Sequence, residues 1–226
     1  MTMHMPEFKA VIFDMDGVIF DTEKLVLECW QIIAEKYHIP DIEEACRACL
    51  GLNQEAAKDE FIRRYGGNFP YWDYKAEMRA VFFGPKYGKH LPIKKGAREL
   101  LAYLKDRQIP VALASSTRSA VVLKELQDAE LICYFDQIIC GDMVSRSKPD
   151  PEIFLTAAKA LGVPAGDCLA IEDSYNGIRA AAAGGLMPVM VPDMLPADAE
   201  MREKSVLIVS SLAELEAMLR QERTAF

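Results

Sequence analysis

Short apolar runs recur along the chain and indicate its architecture. Six of them consist mostly of β-branched, aromatic and other apolar residues: FKAVIF, PVALAS, FDQIIC, DCLAIE, LMPVMV and SVLIVS. Runs of this length and composition predict buried β-strands. Segments between them, such as GARELLAYLKDRQ and PEIFLTAAKALG, place apolar residues at helical spacing. This alternation predicts an α/β fold in which a doubly wound parallel sheet carries helices on both faces.

One long segment breaks the alternation. Between the first and second predicted strands, the chain has helical patterns such as KLVLECWQIIAEKYH and NQEAAKDEFIRRYG and no convincing strand. We therefore expect an inserted α-helical cap domain over residues 22–90, and a core domain formed by residues 1–21 and 91–226. The connections near residues 22–24 and 86–94 are the expected hinges.

Composition and charge narrow the possible partners. The chain has 226 residues and a formal net charge of −8, so it offers no basic surface for nucleic acid or anionic lipid. The first residues do not resemble a signal peptide, and no apolar stretch approaches the ~20 residues that span a bilayer. We expect a cytoplasmic protein without a membrane or nucleic-acid partner. A monomer is expected too, because neither a heptad repeat nor an exposed apolar strand is evident.

The cysteines predict no special chemistry. Six of them are scattered along the chain, which favours reduced thiols over a disulfide framework. Cys46 and Cys49 have the spacing of half a zinc site or of a redox pair, but no second such pair follows. Three residues also make up about one turn of an ordinary helix, so we favour a structural interpretation of this pair.

Carboxylates are concentrated directly behind the first apolar run. In AVIFDMDGVIFDTE, residues Asp14, Asp16 and Asp21 lie close together in the chain. Like charges held close together raise one another's pKa and destabilise a fold unless positive charge offsets them. This pattern predicts a cation or a basic side chain nearby. It does not fit an EF-hand, because Leu25 stands at the position of the bidentate glutamate.

Other predicted strands are also followed by charged or hydroxylic residues. These are Ser115, Ser116 and Thr117 after the second strand, Lys148 after the third, and Glu172 and Asp173 after the fourth. The carboxyl ends of parallel strands meet at one edge of a sheet, where ligands bind. Carboxylates of Asp14, Glu172 and Asp173, with a main-chain carbonyl near Asp16, are hard oxygen ligands suited to Mg²⁺. Lys148 would add positive charge there, and the hydroxyls and main-chain N–H groups of Ser115, Ser116 and Thr117, with the helix that follows, would bind the oxygens of a phosphoryl group.

These groups support one reaction. An aspartate at a strand end, such as Asp14, can attack phosphorus and form an aspartyl phosphate when positive charge offsets the repulsion. Asp16, two residues later, can give a proton to the leaving alcohol and later take one from water. Taken singly, each residue also has a structural explanation, such as a turn, a helix cap or a solvated loop.

The four motifs together resemble the haloacid dehalogenase superfamily: FDMDGVIFDT its first motif, LASST its second, SKPDP its third and IEDS its fourth. The resemblance implies a Rossmann-like core, an aspartate nucleophile at Asp14 and a general acid and base at Asp16. It further implies phosphate binding by Ser115 and Ser116 and charge neutralisation by Lys148. Mg²⁺ would bind to Asp14, the main-chain carbonyl of Asp16 and Asp173, with Glu172 as a direct or water-mediated ligand. Loop 50–55, with Gly51, would contact the substrate from the cap.

Within the superfamily, the sequence favours phosphate hydrolysis. A dehalogenase needs no acid at Asp16, because a halide leaves without a proton. By spacing, the cap positions where a β-phosphoglucomutase would carry cationic residues hold Val26, Leu50 and Gln54. We therefore expect a phosphatase acting on a small phosphorylated metabolite, with a sugar phosphate as the leading substrate class.

Two alternatives remain. The first is a sugar phosphate mutase in which Arg47, Arg63 or Arg64 replaces the missing cations. The second is a phospho-acceptor signalling module, which is also an α/β protein phosphorylated on aspartate but has no helical cap inserted after its first strand.

Overall fold

The computed structural model describes residues 6–84 and 91–222, and its centre is a six-stranded parallel sheet. The strands are β1 (Ala10–Phe13), β2 (Val111–Ser115), β3 (Gln137–Cys140), β4 (Cys168–Glu172), β5 (Met187–Met190) and β6 (Leu207–Ile208), arranged in the order β3-β2-β1-β4-β5-β6. All six strands predicted from the apolar runs are confirmed. The sheet order changes direction beside β1, so the loops after β1, β2 and β4 are neighbours at the carboxyl edge.

Helices cover both faces of this sheet. They are α5 (Ala97–Asp106), α6 (Ser119–Asp128), α7 (Glu152–Leu161), α8 (Tyr175–Ala183), α9 (Ala199–Lys204) and α10 (Leu212–Glu222). Because side chains alternate along a strand, Val11 and Phe13 pack under α5, α6 and α10, whereas Ala10 and Ile12 face α7 and α8. The expected doubly wound α/β arrangement is therefore confirmed.

Four helices lie between β1 and β2, where the sequence predicts a cap. They are α1 (Glu23–Tyr37), α2 (Ile42–Cys49), α3 (Gln54–Tyr65) and α4 (Tyr71–Phe82). They have an apolar core of their own, in which Trp30, Phe61 and Tyr74 make edge-on and tilted ring contacts. We call residues 23–82 the helical region. Residues 86–90 of the second expected hinge, and the chain ends at 1–5 and 223–226, lie outside the described residues.

The loop between α2 and α3 lies against the carboxyl edge of the sheet. Four hydrogen bonds connect this part of the helical region to the sheet domain: Ser116 Oγ to Gly51 O (2.9 Å), Asn176 Nδ2 to Leu50 O (2.9 Å), Asn53 N to Ser147 Oγ (2.7 Å) and Arg47 Nη1 to Met194 O (3.0 Å). The helical region is thus closed over the loops that carry the predicted chemistry.

All six cysteines lie within the described residues and are free thiols. Burial raises the pKa of Cys49 to about 12 and also raises the pKa of Cys46, so neither thiol ionises readily. Within residues 6–84 and 91–222, no helix combines the length and apolarity needed to cross a membrane.

Candidate active site

Three sheet-edge segments bring a buried ion-pair network together. Lys148, in the loop after β3, donates to Asp14 Oδ1 at 2.5 Å and to Glu172 Oε1 at 2.6 Å. Asp14 follows β1, and Glu172 is the last residue of β4. Lys148 is 1% exposed and also donates to the carbonyl of Ala114 at 3.1 Å. The three predicted residues therefore meet in one network, in which each charge has an opposite charge beside it.

Burial and pairing act against each other in this network. Burial raises the pKa of Asp14, and the positive charge of Lys148 opposes that rise. Burial alone would lower the pKa of Lys148, but the charges of Asp14 and Glu172 outweigh burial and raise it. Lys148 therefore stays protonated and keeps its positive charge beside Asp14.

Both carboxylate oxygens of Glu172 accept hydrogen bonds from neighbouring groups. Its Oε2 accepts hydrogen bonds from the main-chain N–H groups of Asp173 and Ser174 and from the Ser174 hydroxyl, each at 3.0 Å. Its Oε1 accepts from Lys148. The carboxylate is fully buried, so this fixed position orients the Lys148 ammonium towards Asp14.

Asp16 is held by two threonines. The Thr22 hydroxyl donates to Asp16 Oδ1 at 3.0 Å, and the Thr117 hydroxyl donates to Oδ2 at 3.1 Å. Burial raises the pKa of Asp16, while these two hydrogen bonds counteract the rise. A carboxyl group with a raised pKa and a fixed orientation suits a general acid. Sequence reasoning placed Thr22 in a hinge and Thr117 in a phosphate cradle, and it missed their contacts with Asp16.

Asp21 is separate from this cluster. The sequence grouped it with Asp14 and Asp16, but its carboxylate is 42% exposed and lies 3.4 Å from the Lys94 ammonium. Lys94 also pairs with Asp193 at 2.9 Å. Asp21 thus has an ion-pair partner of its own at the base of the helical region.

Three of the four predicted metal ligands form an acidic cluster, while the main-chain carbonyl of Asp16 stays a prediction. Oxygens of Asp14, Glu172 and Asp173 all lie within 4.8 Å of one another. Burial and the neighbouring acids raise the pKa of Asp173 well above its usual value. A divalent cation bound here would offset this concentration of carboxylates. Gly17 makes room for the cluster: its φ is +77°, and a Cβ there would lie 2.3 Å from Asp173 Oδ2.

The predicted phosphate-binding residues occupy different positions. Ser115 is fully buried, and its Oγ accepts the N–H of Thr117 at 3.1 Å. Ser116 lines the cavity beside Asp14 but donates its hydroxyl to Gly51 O. Gly51 also lines the cavity, and its φ of +76° and the closeness of Ser174 Oγ favour glycine there. Their roles in binding phosphate stay predictions.

A cavity of about 180 Å³ lies between the sheet edge and the helical region. The sheet side contributes carboxylates and hydroxyls, whereas the helical region contributes a mostly apolar wall that includes Val26, Trp30, Leu50, Leu52 and Ala57. Of the three positions singled out for the mutase comparison, Val26 and Leu50 line this cavity and Gln54 does not.

The arginines considered as replacements are engaged elsewhere. Arg47 pairs with Glu43 and bonds to the Met194 carbonyl. Arg63 pairs with Glu60, and Arg64 lies 3.2 Å from Glu44. None of the three arginines lines the cavity.

Two charged cavity residues were missed by sequence reasoning. Lys75 on α4 lines the cavity with its ammonium 5.2 Å from the centre of the Trp30 ring, and burial lowers its pKa. Glu23, the first residue of α1, is 9% exposed and lines the same cavity. Burial and the surrounding acids raise its pKa well above its usual value. Glu23 follows the recognised first motif directly, so its position was a usable signal, whereas Lys75 is distant from every motif.

Comparison with known proteins identifies the family. The haloacid dehalogenase-like hydrolase profile matches residues 8–185, which include all the strand-end groups described above. The chain belongs to this hydrolase family. It is therefore an enzyme of the HAD phosphatase and hydrolase class, and the signalling-module alternative is wrong.

Individual relatives agree with this assignment but differ in activity. The chain is 34% identical over 182 residues to the phosphorylated carbohydrates phosphatase of Thermotoga maritima, covering 79% of this chain and 82% of that protein. It is 35% identical over 217 residues to the β-phosphoglucomutase of Bacillus subtilis, covering 91% and 94%. A crystal structure of a putative β-phosphoglucomutase from Thermotoga maritima matches with a TM-score of 0.70 at 32% identity, covering 94% and 99%. The HAD core with helices inserted between β1 and β2 is thus confirmed, and relatives of both activities are similarly close.

Proposed function

We propose that this HAD hydrolase is a Mg²⁺-dependent phosphatase that hydrolyses a small phosphorylated sugar or polyol through an aspartyl phosphate on Asp14. The observation that carries the proposal is the hydrogen-bonded ion pair between Lys148 and Asp14. Asp16, two residues later, accepts hydrogen bonds from the hydroxyls of two threonines, which orient its carboxyl group. This arrangement supplies a nucleophile, a neutralising charge and a proton donor at one cavity.

The first half-reaction transfers the phosphoryl group to the enzyme. A carboxylate oxygen of Asp14 attacks phosphorus, forming an O–P bond while the bond from phosphorus to the substrate oxygen breaks. Asp16, in its protonated form, gives its proton to that leaving oxygen, so the product departs as an alcohol. The hydroxyls of Thr22 and Thr117 keep the Asp16 carboxyl in place during this transfer.

The second half-reaction regenerates the enzyme. The Asp16 carboxylate, now without its proton, takes one from a water molecule as the water oxygen attacks phosphorus. The bond between phosphorus and the Asp14 oxygen breaks, which releases inorganic phosphate and restores both carboxyl groups. Lys148 stabilises negative charge beside Asp14 in both steps, because Glu172 holds its ammonium in position.

Mg²⁺ fits the acidic cluster between these groups. Asp14, Asp173 and the main-chain carbonyl of Asp16 would hold the ion. Glu172 would support it indirectly, because both of its carboxylate oxygens already accept hydrogen bonds. When bound, the ion offsets the charge of the phosphoryl oxygens and of the carboxylates around them.

The cavity wall favours hydrolysis over mutase chemistry. A sugar phosphate mutase must hold a bisphosphate by two anionic ends and protect the aspartyl phosphate from water. In this chain, Val26 and Leu50 have apolar side chains at cavity positions where a mutase is expected to carry cationic residues. Among the described residues of the helical region, Lys75 is the basic residue that lines the cavity. The carbohydrate phosphatase relative supports a phosphorylated sugar as substrate.

The β-phosphoglucomutase reaction is the second candidate. Its support is the similarity of the chain to a β-phosphoglucomutase over 91% of its length, together with Lys75, which could meet one distal phosphate.

Phosphate release from a panel of sugar phosphates, polyol phosphates and nucleotides, with and without Mg²⁺, tests the proposal. β-Glucose 1-phosphate, with and without a bisphosphate primer, should be followed in parallel for conversion to glucose 6-phosphate. We expect Mg²⁺-dependent phosphate release that Asp14→Asn abolishes. Primed conversion without net release would replace the phosphatase by the mutase.

A further inference from the structure

Glu23 is a mostly buried carboxyl group that has no hydrogen-bond or ion-pair partner among the described residues. It begins α1, is 9% exposed and lines the cavity beside Asp14 and Asp16. Its side chain makes no hydrogen bond or ion pair with any residue in the described part of the chain. Thr22, its neighbour in sequence, donates to Asp16 and is not available to it.

Leaving such a group unpaired is costly for the folded protein. A buried polar group without a hydrogen bond destabilises the fold, and a buried charge does so more strongly. Burial is the largest cause of the raised pKa of Glu23, and the nearby acids Asp16 and Asp14 raise it further. The N-terminus of α1 offsets only part of a negative charge there. The Glu23 side chain therefore keeps hydrogen-bonding capacity for a ligand in the cavity that it lines.

The chemistry of a carboxyl group indicates which ligand group would pair with Glu23. A hydroxyl group can donate to an ionised carboxylate and can also accept from a protonated carboxyl, so it fits Glu23 in either state. Val26 and Trp30 line the same cavity and can contact the carbon skeleton of a ligand. Lys75, also without a hydrogen bond or ion pair to a described residue, can donate to a ligand oxygen. A second anionic group beside Glu23 would instead be repelled.

From this arrangement we infer that Glu23 is a substrate-specificity residue that forms a hydrogen bond with a hydroxyl group of the leaving alcohol. The preferred substrates are then monophosphates of polyhydroxylated alcohols with no second anionic group near the reacting ester. This inference rests on the proposed phosphatase activity and narrows its substrate class.

The test compares hydroxylated substrates with analogues that lack one hydroxyl. The best sugar or polyol phosphate from the panel is measured against each of its monodeoxy analogues, with p-nitrophenyl phosphate as a substrate without leaving-group hydroxyls. In the native enzyme we expect kcat/KM to fall tenfold or more for at least one deoxy analogue. Without the missing hydroxyl group, Glu23 has no hydrogen-bond partner on the bound substrate. Glu23→Ala should reduce that discrimination to less than threefold, and Glu35→Gln, on the exposed side of α1, should leave it unchanged.

Thermal unfolding without Mg²⁺ or substrate gives an independent readout. Glu23→Gln keeps the size of the side chain and removes the cost of burying a carboxyl group among other acids, so we expect Tm to rise by about 2 °C or more. A residue needed for the fold itself would lower Tm when changed. A lowered Tm together with unchanged hydroxyl discrimination would overturn the inference.

Calorimetry of Mg²⁺ binding separates a role at the metal from a role at the substrate. If Glu23→Gln weakens Mg²⁺ binding tenfold and leaves the deoxy discrimination intact, Glu23 serves the cation and the inference fails. If Asp14→Asn leaves phosphate release unchanged, the proposed function itself fails. Release that depends on Asp14, with discrimination unaffected by Glu23→Ala, contradicts only the inference.

Discussion

The charged groups on the two sides of the cavity differ in whether they are paired within the fold. On the sheet side, Asp14, Lys148 and Glu172 are buried in mutual ion pairs. On the side of the helical region, Glu23 and Lys75 lie beside an apolar wall without hydrogen bonds or ion pairs to described residues. The first set is complete before any ligand arrives, whereas the second set is not.

This difference separates the reaction from the choice of substrate. Groups that stabilise a transition state work best when they are already oriented, because nothing has to reorganise during the reaction. Groups that select a ligand must leave hydrogen-bonding capacity for it. Changes to Asp14, Lys148 and Glu172 should therefore affect all substrates alike, and changes on the helical side should affect some substrates more than others.

The largest effect is expected for Asp14→Asn. Loss of the nucleophile should lower kcat at least about a thousandfold on every substrate, since the covalent step is removed. Asp106→Asn, at an exposed position on α5, is the matched control and should retain native turnover. Steady-state phosphate release checks this. Substrate-dependent losses would break the proposed separation of the two walls.

Removal of the divalent cation should be nearly as severe. Chelation should abolish turnover of all substrates, and Mg²⁺ should restore it, because the three clustered carboxylates have one positive side chain, Lys148, paired with them among the described residues. Saturating Mg²⁺ at 100 times its dissociation constant should also stabilise the fold by about 2.7 kcal/mol. Thermal unfolding with and without Mg²⁺ measures this. Native turnover in a chelator would contradict the metal assignment.

Lys148→Met should reduce both activity and stability. It leaves Asp14 and Glu172 buried together without a cation, which should lower the free energy of unfolding by about 3–5 kcal/mol. Turnover should fall by about 10²–10³-fold. Urea unfolding and kinetics test both, with Lys159→Met on the exposed side of α7 as control. An unchanged unfolding free energy would show that the network contributes no stability.

Asp16→Asn should have an effect that depends on the leaving group. Hydrolysis of an alkyl phosphate should slow by about 10²–10⁴-fold, because the departing alkoxide needs a proton. Hydrolysis of p-nitrophenyl phosphate should slow much less, because its leaving group is a weak base. The two kcat values for the variant and the native enzyme provide the comparison. Equal losses on both substrates would remove the acid role from Asp16.

The smallest effect is expected where the two walls meet. Ser116→Ala removes the hydrogen bond to Gly51 O, so KM should rise by about two- to tenfold with little change in kcat. Ser119→Ala is the control, because that hydroxyl bonds to Asp142 away from the helical region. A loss in kcat with KM unchanged would mean that Ser116 acts on the chemistry instead.

Much of the sheet side could be predicted from sequence. The apolar runs specify buried strands, and parallel strands bring their carboxyl ends to one edge, so Asp14, Lys148 and Glu172 could be grouped without a structure. Their hydrogen bonds could not be assigned, because the sequence does not show that Glu172 directs its oxygens to Lys148 and to local N–H groups. Asp21 was grouped wrongly for the same reason, since Lys94 lies 73 residues away in the chain.

The helical side was far less predictable. Lys75 reaches the cavity only because α4 packs on α1, and Glu23 becomes buried only because the helical region closes over the sheet edge. Such positions depend on the packing of helices rather than on a local pattern. The apolar character of the wall was predictable at Val26 and Leu50 but not at Gln54, which does not line the cavity.

The central claim is that Asp14 carries the phosphoryl group during turnover. Acid quenching during turnover of the best substrate, followed by mass spectrometry of the peptides, tests it directly. The account predicts a peptide containing Asp14 that gains one phosphoryl group, accumulates before phosphate release and is absent in Asp14→Asn. Full turnover with no phosphorylated peptide, or with the label on Ser115 or Ser116, would contradict the account.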